Sequence, residues 1–333
     1  MIKKTASHRE RLENCLAGQT LDQTPVAFWR HFPVDDQTPS GLAASTLAFQ
    51  QDFDFDLVKV TPSSSFCLKD WGTQDRWAGN PEGTRDYLTP IIQRPEDWAA
   101  LQPLNPEKGW LAGQIACLSQ ITKALGSGTP VLQTVFSPLA QAKNLVGRNE
   151  LQVHLRTHPE ALHTGLKTIT ETTLRFIAEA IKTGIAGVFY AQQHAQYGLL
   201  SETEFDHFGR AYDLQVLDAV RGSWCNMLHL HGENVMFDRV ADYPVAIINW
   251  HDRQTAPSLS QAMTRFRGVF CGGLRQWETM VLGTPQQVEQ ESREAIQSTG
   301  GKRFILGTGC VLPVTAPRGN ILAAIQTTRG TKG

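Results

Sequence analysis

The segment 159–190, PEALHTGLKTITETTLRFIAEAIKTGIAGVFY, holds a helix and then a strand, and its reading decides the fold. Pro159 and Glu160 suit a first helical turn, after which Leu162, Leu166, Ile169, Thr173, Ile177 and Ile181 recur on one helix face until Gly184 stops the run. Gly187-Val-Phe-Tyr190 then reads as a short buried strand. A strand–helix–strand succession calls for a parallel pair, because the helix supplies the crossover that such strands need. Outward from this unit the pattern repeats. Pro25-Val-Ala-Phe-Trp29, Leu57-Val-Lys-Val60 and Val131-Leu-Gln-Thr-Val-Phe136 lie before it. Met227-Leu-His-Leu-His231, Val245-Ala-Ile-Ile248, Gly268-Val-Phe-Cys271 and Arg303-Phe-Ile-Leu306 lie after it. Ser201-Glu-Thr-Glu204 and Thr284-Pro-Gln-Gln287 mark two further helix starts between runs. Eight apolar runs alternating with helices predict an α/β fold, a (β/α)8 TIM barrel formed by residues 1–333 as a single domain. Pro62–Pro130, rich in Gly and Pro with helical stretches around Asp97 and Gln114, is too long for a simple crossover. It is expected as an insertion after the second strand that walls or covers the barrel mouth.

Bulk composition narrows the partners. The chain of 333 residues is 41% hydrophobic and 19% charged with a formal net charge of -1, which gives no electrostatic footprint for nucleic acid or an anionic membrane. Met1–Leu16 carries Lys3, Lys4, Arg9, Glu10, Arg11 and Glu13 without an apolar stretch, unlike a secretory signal, so a cytoplasmic location is expected. Six scattered cysteines read as reduced thiols. Gly272-Gly273 is no part of a G-x-G-x-x-G fingerprint, so NAD is not expected as a cofactor, and neither is PLP.

In such a barrel the residues at the carboxyl ends of strands surround the reacting groups. Those ends here carry Arg30 and His31, Ser63–Ser65, Gln193 and His194, His229 and His231 with Glu233, Asn249 and His251, Arg275, and Thr308 with Cys310. His229 and His231 stand two apart on one strand, so both imidazoles face the same side. With Cys310 they would form two nitrogen donors and one sulfur donor around an open position, the pattern of a catalytic zinc. The alternative reading is two satisfied polar residues of the barrel interior and a small buried thiol. Arg30 and Arg275 offer bidentate contacts to an acidic group, and Asn249 and Gln193 offer amides. Glu233, His194 and His251 are the candidates for moving protons.

These residues also resemble a family. Arg9-Glu-Arg-Leu-Glu-Asn-Cys-Leu-Ala-Gly18, Thr24-Pro-Val-Ala-Phe-Trp-Arg30 and Leu306-Gly-Thr-Gly-Cys310-Val-Leu-Pro313 are similar to the opening and ending of the uroporphyrinogen decarboxylase superfamily. Asp56-Leu-Val-Lys-Val60, Ala246-Ile-Ile-Asn-Trp250 and Cys271-Gly-Gly-Leu274 follow the same order between them. The resemblance implies the same barrel. For a true decarboxylase it implies an aspartate where Ser63 stands, a tyrosine at Asn144 and a histidine at Thr308, and of an arginine pair after the first strand it finds only Arg30. For the zinc-dependent methyltransferase branch, which moves methyl groups between corrinoid proteins and thiols, it implies a His-x-Cys on the fifth strand and a final Cys. His229 and Cys310 match the outer ligands and His231 replaces the middle cysteine. One thiolate instead of two leaves more positive charge on the metal.

The expectation from the sequence is a zinc-assisted methyl or alkyl transferase-like enzyme acting on a small acidic or thiol substrate, with Arg30 as anchor and a corrinoid protein as partner. Tetrapyrrole decarboxylation by the same barrel, and a non-catalytic corrinoid or tetrapyrrole binder, stand as alternatives.

Overall fold

A computed structural model describes residues 6–330, so Lys3 and Lys4 of the amino-terminal stretch lie outside the described residues. Nine strands follow one another among the described residues. They are β1 (Val58–Val60), β2 (Asp75–Arg76), β3 (Asp86–Tyr87), β4 (Val131–Phe136), β5 (Gly187–Gln192), β6 (Met227–Leu230), β7 (Ile247–Trp250), β8 (Val269–Leu274) and β9 (Phe304–Thr308). Seven of them form one parallel sheet in the order β1-β4-β5-β6-β7-β8-β9, and β2 with β3 makes a separate antiparallel ribbon. The strands of the large sheet are buried on both faces, as the continuous apolar runs require once helices cover the outside.

The run Pro25–Trp29 closes the sheet into the eight-staved barrel, though not as a full strand. Val26 pairs with Leu306 in a single parallel bridge, with Ala27 N–H donating to Leu306 at 2.9 Å and Leu306 N–H to Pro25 at 2.8 Å. On its other edge Asp56 takes the place of a ladder. Its backbone N–H donates to the Val26 carbonyl at 2.9 Å, and its carboxylate accepts the Val26 N–H at 2.8 Å. The same carboxylate receives the Arg11 guanidinium and the His8 ring, which fastens the first helix, His8–Leu16, to the closure. The predicted first strand is thereby corrected to one bridge residue: Pro25 has no N–H, and a side chain holds the side facing β1.

The other elements stand close to the sequence expectation. Helix Pro159–Lys182 ends at Gly184 with φ +87°, and capping boxes sit at Ser201 and Thr284. The sixth run is shifted two residues, to Ile247–Trp250, because Asn249 and Trp250 continue the ladder with Cys271 and Leu230. The insertion between β1 and β4 contains the β2–β3 ribbon and helix Gly109–Leu125. Its Asn80–Gly83 turn presses on the first stave, where a Cβ on Gly83 (φ +77°) would lie 2.4 Å from that of His31. All six cysteines are buried and free. No helix among the described residues is long and apolar enough to cross a membrane.

One buried polar knot steadies the wall between β5 and the outer helices. Asp213, fully buried on helix Ala211–Ala219, accepts from Tyr190 Oη at 2.6 Å, Gln192 Nε2 at 2.5 Å and Tyr243 Oη at 2.8 Å. Gln192 Oε1 in turn accepts the His194 N–H at 2.6 Å. Asp213→Asn turns one acceptor into a donor facing donors, and chemical denaturation should show a loss of about 1–3 kcal/mol. An unchanged midpoint would mean that the knot contributes nothing to stability.

Candidate metal centre

His229 sits at the third position of β6 and His231 one residue past its end, so the period-two alternation of the strand sends both rings to the mouth. Gly232 (φ +100°) then turns the chain away, and a Cβ there would lie 2.3 Å from the Gln196 side chain. Cys310 follows β9, with its backbone carbonyl accepting from Thr308 Oγ1 at 2.5 Å. Two strands separate β6 from β9 in the sheet, so the thiol meets the imidazoles across the barrel mouth.

Cys310 Sγ lies 3.7 Å from His229 Nε2 and 3.7 Å from His231 Nδ1, and the three donor atoms fall within 4.8 Å of one another. Zinc bonds of about 2.3 Å to sulfur and 2.0–2.1 Å to nitrogen, set at tetrahedral angles, separate sulfur from nitrogen by about 3.6 Å. The donor set fits that metal. The surroundings fit it too. Asn249, the register partner of His229 on β7, spends its Nδ2 on the Cys271 carbonyl at 2.8 Å and the Thr308 carbonyl at 3.0 Å. Its Oδ1 is left to accept from His229 Nδ1 at 2.6 Å, so the ring's Nε2 lone pair points at the thiol. Both imidazoles are neutral near pH 7. Burial drives the His229 ring well below its ordinary value and, with the nearby charges of His251, Lys143 and Arg148, brings His231 to about 4. Burial pushes the Cys310 thiol up to about 12, so the buried thiolate needs a cation.

The remaining predicted residues fall into distinct places. His251 packs its ring 5.7 Å from that of His231, with Nδ1 held by Gln254 Oε1 at 2.9 Å and Nε2 buried without a partner. Gln193 and His194 line a cavity of about 420 Å³ that His231 also lines. Glu233 is exposed on the rim beyond β6, and Asn249 has no amide group left for a ligand. Arg275 is engaged with the buried Glu291. Arg30 lies over the rings of Phe32 and Phe49 at 5.1 and 4.9 Å, in a separate cavity with Asp35, Asp52 and Arg318.

Two groups near the centre escaped the sequence reading. Lys59, on β1, is 6% exposed, with its ammonium 4.5 Å from the Phe189 ring. Burial lowers it to about 7 against the raising effect of Cys310. A lysine inside an apolar run was the available signal. Glu82 comes from the insertion, accepts from Gln276 Nε2 at 2.7 Å and Trp277 Nε1 at 3.0 Å, and acts electrostatically on both Cys310 and His251. Its position depends on the folding of a loop, and the sequence carries no signal for it.

A parallel (β/α)8 barrel that gathers donor side chains and a cavity where its strands end has the architecture of a barrel enzyme. The chain belongs to the uroporphyrinogen decarboxylase (URO-D) family, a family of enzymes, whose model matches residues 7–331. A uroporphyrinogen decarboxylase of Synechococcus sp. (strain JA-2-3B'a(2-13)) is 23% identical over 351 aligned positions that cover 96% of this chain and 97% of the relative. One from Prochlorococcus marinus (strain MIT 9303) is 25% identical over 256 positions, 72% of this chain and 70% of the relative. Among solved structures, a methyltransferase from Methanosarcina mazei superposes with a TM-score of 0.85 at 16% identity, covering 97% of this chain and 98% of that one. A B12-independent methionine synthase from Shewanella sp. W3-18-1 superposes with a TM-score of 0.60 at 11% identity, covering 92% of each chain. Both structures share the fold.

Proposed function

We propose that this chain is a zinc-assisted methyl or alkyl transferase of the family, acting on a small acidic or thiol substrate, with His229, His231 and Cys310 as the metal ligands. The observation that carries the reading is the convergence of three donor atoms at zinc-like spacing, one of them aimed by Asn249. Bound there, zinc would supply Lewis-acid charge that lowers the pKa of a substrate thiol or other acceptor at the open position. The protein does the rest. Asn249 fixes the His229 tautomer, and the buried Lys59, when protonated, favours the Cys310 thiolate electrostatically. His251, whose buried Nε2 has no partner, is the proton carrier packed against the ring of His231, while His194 faces the cavity and Glu233 the solvent rim. Residues 1–333 act as one domain in this reading, and a corrinoid protein is the methyl-donating partner.

The decarboxylase reading draws on the names of the full-length relatives. At the position of its aspartate stands Ser63, which shares a hydrogen bond with Ser65 at 3.2 Å, and the neighbouring carboxylate of Asp75 is taken up by Ser65 and by Lys69 at 3.1 Å. A serine cannot supply the negative charge that a cationic pyrrole intermediate needs.

Elemental analysis of protein purified without added metal tests the proposal. About one zinc per chain is expected, with thiol alkylation lost on chelation and restored by zinc. A stoichiometry near zero with full activity would sink it.

A further inference from the structure

The cavity beside the proposed metal centre contains more positive charge than its own structure uses. Of its charged lining residues, Glu82 is held by Gln276 and Trp277, and Arg85 pairs with Asp36. Lys143, in the last turn of helix Pro138–Val146, and Arg148, at the start of helix Arg148–Thr157, are different. Neither side chain makes an ion pair or a hydrogen bond among the described residues; Lys143 is half-buried in the wall and Arg148 stands exposed at the cavity rim. Arg148 helps to lower Lys143, and both help to lower His194. Burial first, and Arg148 second, take the half-buried Lys143 ammonium down to about 8, and no protein carboxylate pairs with it. Gly147 (φ +95°) turns the chain between the two cations. Around them the wall is built of hydrogen-bonding groups: Asn144, Gln193 and the buried His194, whose Nδ1 has no partner. His231 lines the same space, so whatever Lys143 and Arg148 hold lies in one cavity with a proposed metal ligand.

We propose that Lys143 and Arg148 anchor the oxyanion end, carboxylate or phosphate, of a small substrate whose reacting end lies at the His229–His231–Cys310 centre. The placement of the reacting end rests on the metal-centre reading; the anchor does not. A volume of about 420 Å³ belongs near the lower end of ligand cavities, roughly 300–1,000 Å³, which suits a compact acid rather than a tetrapyrrole. Arginine provides a planar fork and lysine a point charge, a pair of donors suited to two oxygens of one group. The anchor thus differs from Arg30, whose cavity contains none of the three proposed ligands.

The test is calorimetric titration of the purified, metal-analysed protein with 3-mercaptopropionate, its uncharged amide and, separately, inorganic phosphate. At least one anion should bind well above the amide. Lys143→Gln should weaken that anion by about 10–100-fold, since a charge-assisted hydrogen bond contributes roughly 1.5–3 kcal/mol, and the exposed Arg148→Gln by about 2–5-fold, each leaving the amide within about twofold. The tighter of the two anions identifies the end group as carboxylate or phosphate. Acid and amide binding equally, or anion binding unchanged in both variants with thermal melts intact, would overturn the anchor. Zinc content separates the two readings. Zinc present without anion discrimination removes the anchor alone, and anion discrimination without zinc removes the metal centre alone.

Discussion

Replacing Cys310 with alanine is expected to lower zinc affinity by more than about 100-fold and to abolish thiol alkylation, with the fold intact. The thiol is the sole sulfur donor of the trio and lies 3.7 Å from each imidazole nitrogen, so its loss leaves two ligands for a metal that wants at least three from the protein. It sits past the end of β9 at the mouth, and its removal opens little of the core. Competition against a colorimetric chelator reads the affinity, and circular dichroism reads the fold. Asn249→Ala provides a graded comparison. It leaves all three donors in place and removes the hydrogen bond that orients His229, for which an affinity loss of about 10–100-fold is expected. Equal zinc binding in wild type and Cys310→Ala would refute the ligand assignment.

The second large effect concerns closure of the barrel. Asp56→Ala should destabilise the protein by about 2–4 kcal/mol, because it removes the buried partner of Arg11 and leaves the Val26 N–H without an acceptor. Arg11 is 2% and Asp56 1% exposed, and the carboxylate also accepts the Val26 N–H at the only bridge-like joint between the first stave and β1 among the described residues. Arg11 keeps Asp22 at 2.8 Å, which moderates the loss. Urea denaturation should show a lower midpoint. The paired change Arg11→Met with Asp56→Leu should recover part of the stability, since an apolar pair removes the uncompensated charge. A loss below about 1 kcal/mol for the single variant would show that the ion pair is screened and the closure held elsewhere.

Much of the architecture was legible because it is local. Seven of the eight apolar runs became strands of the large sheet, since β-branched and aromatic side chains packed between two helical layers leave no other state for short segments of this kind. The exception, Pro25–Trp29, has the same composition but receives its hydrogen bonds from Asp56 and Leu306, partners far along the chain. The site was legible where a strand's period decides direction, as for His229 and His231. Asn249 could be placed at the end of a run, but its work depends on the register that sets it opposite His229. Lys143 and Arg148 read as ordinary solvated helix residues, and Glu82 as a loop acid. That the three line one cavity, Arg148 from its exposed rim, follows only when helix ends and insertion fold over the mouth.

The sequence by itself determined the alternation of strand and helix and the shared face of two imidazoles, because both follow from the spacing of neighbouring residues. Tertiary structure decided the rest: that Cys310 comes within reach of those rings, that Asn249 selects the tautomer, and that two unpaired cations share a cavity with His231. The physical reason is closure. Donor distances across the mouth follow from the register that carries β6 through β7 and β8 to β9, and Asp56, Val26 and Leu306 join the ends of the same sheet, all contacts between segments far apart in the chain.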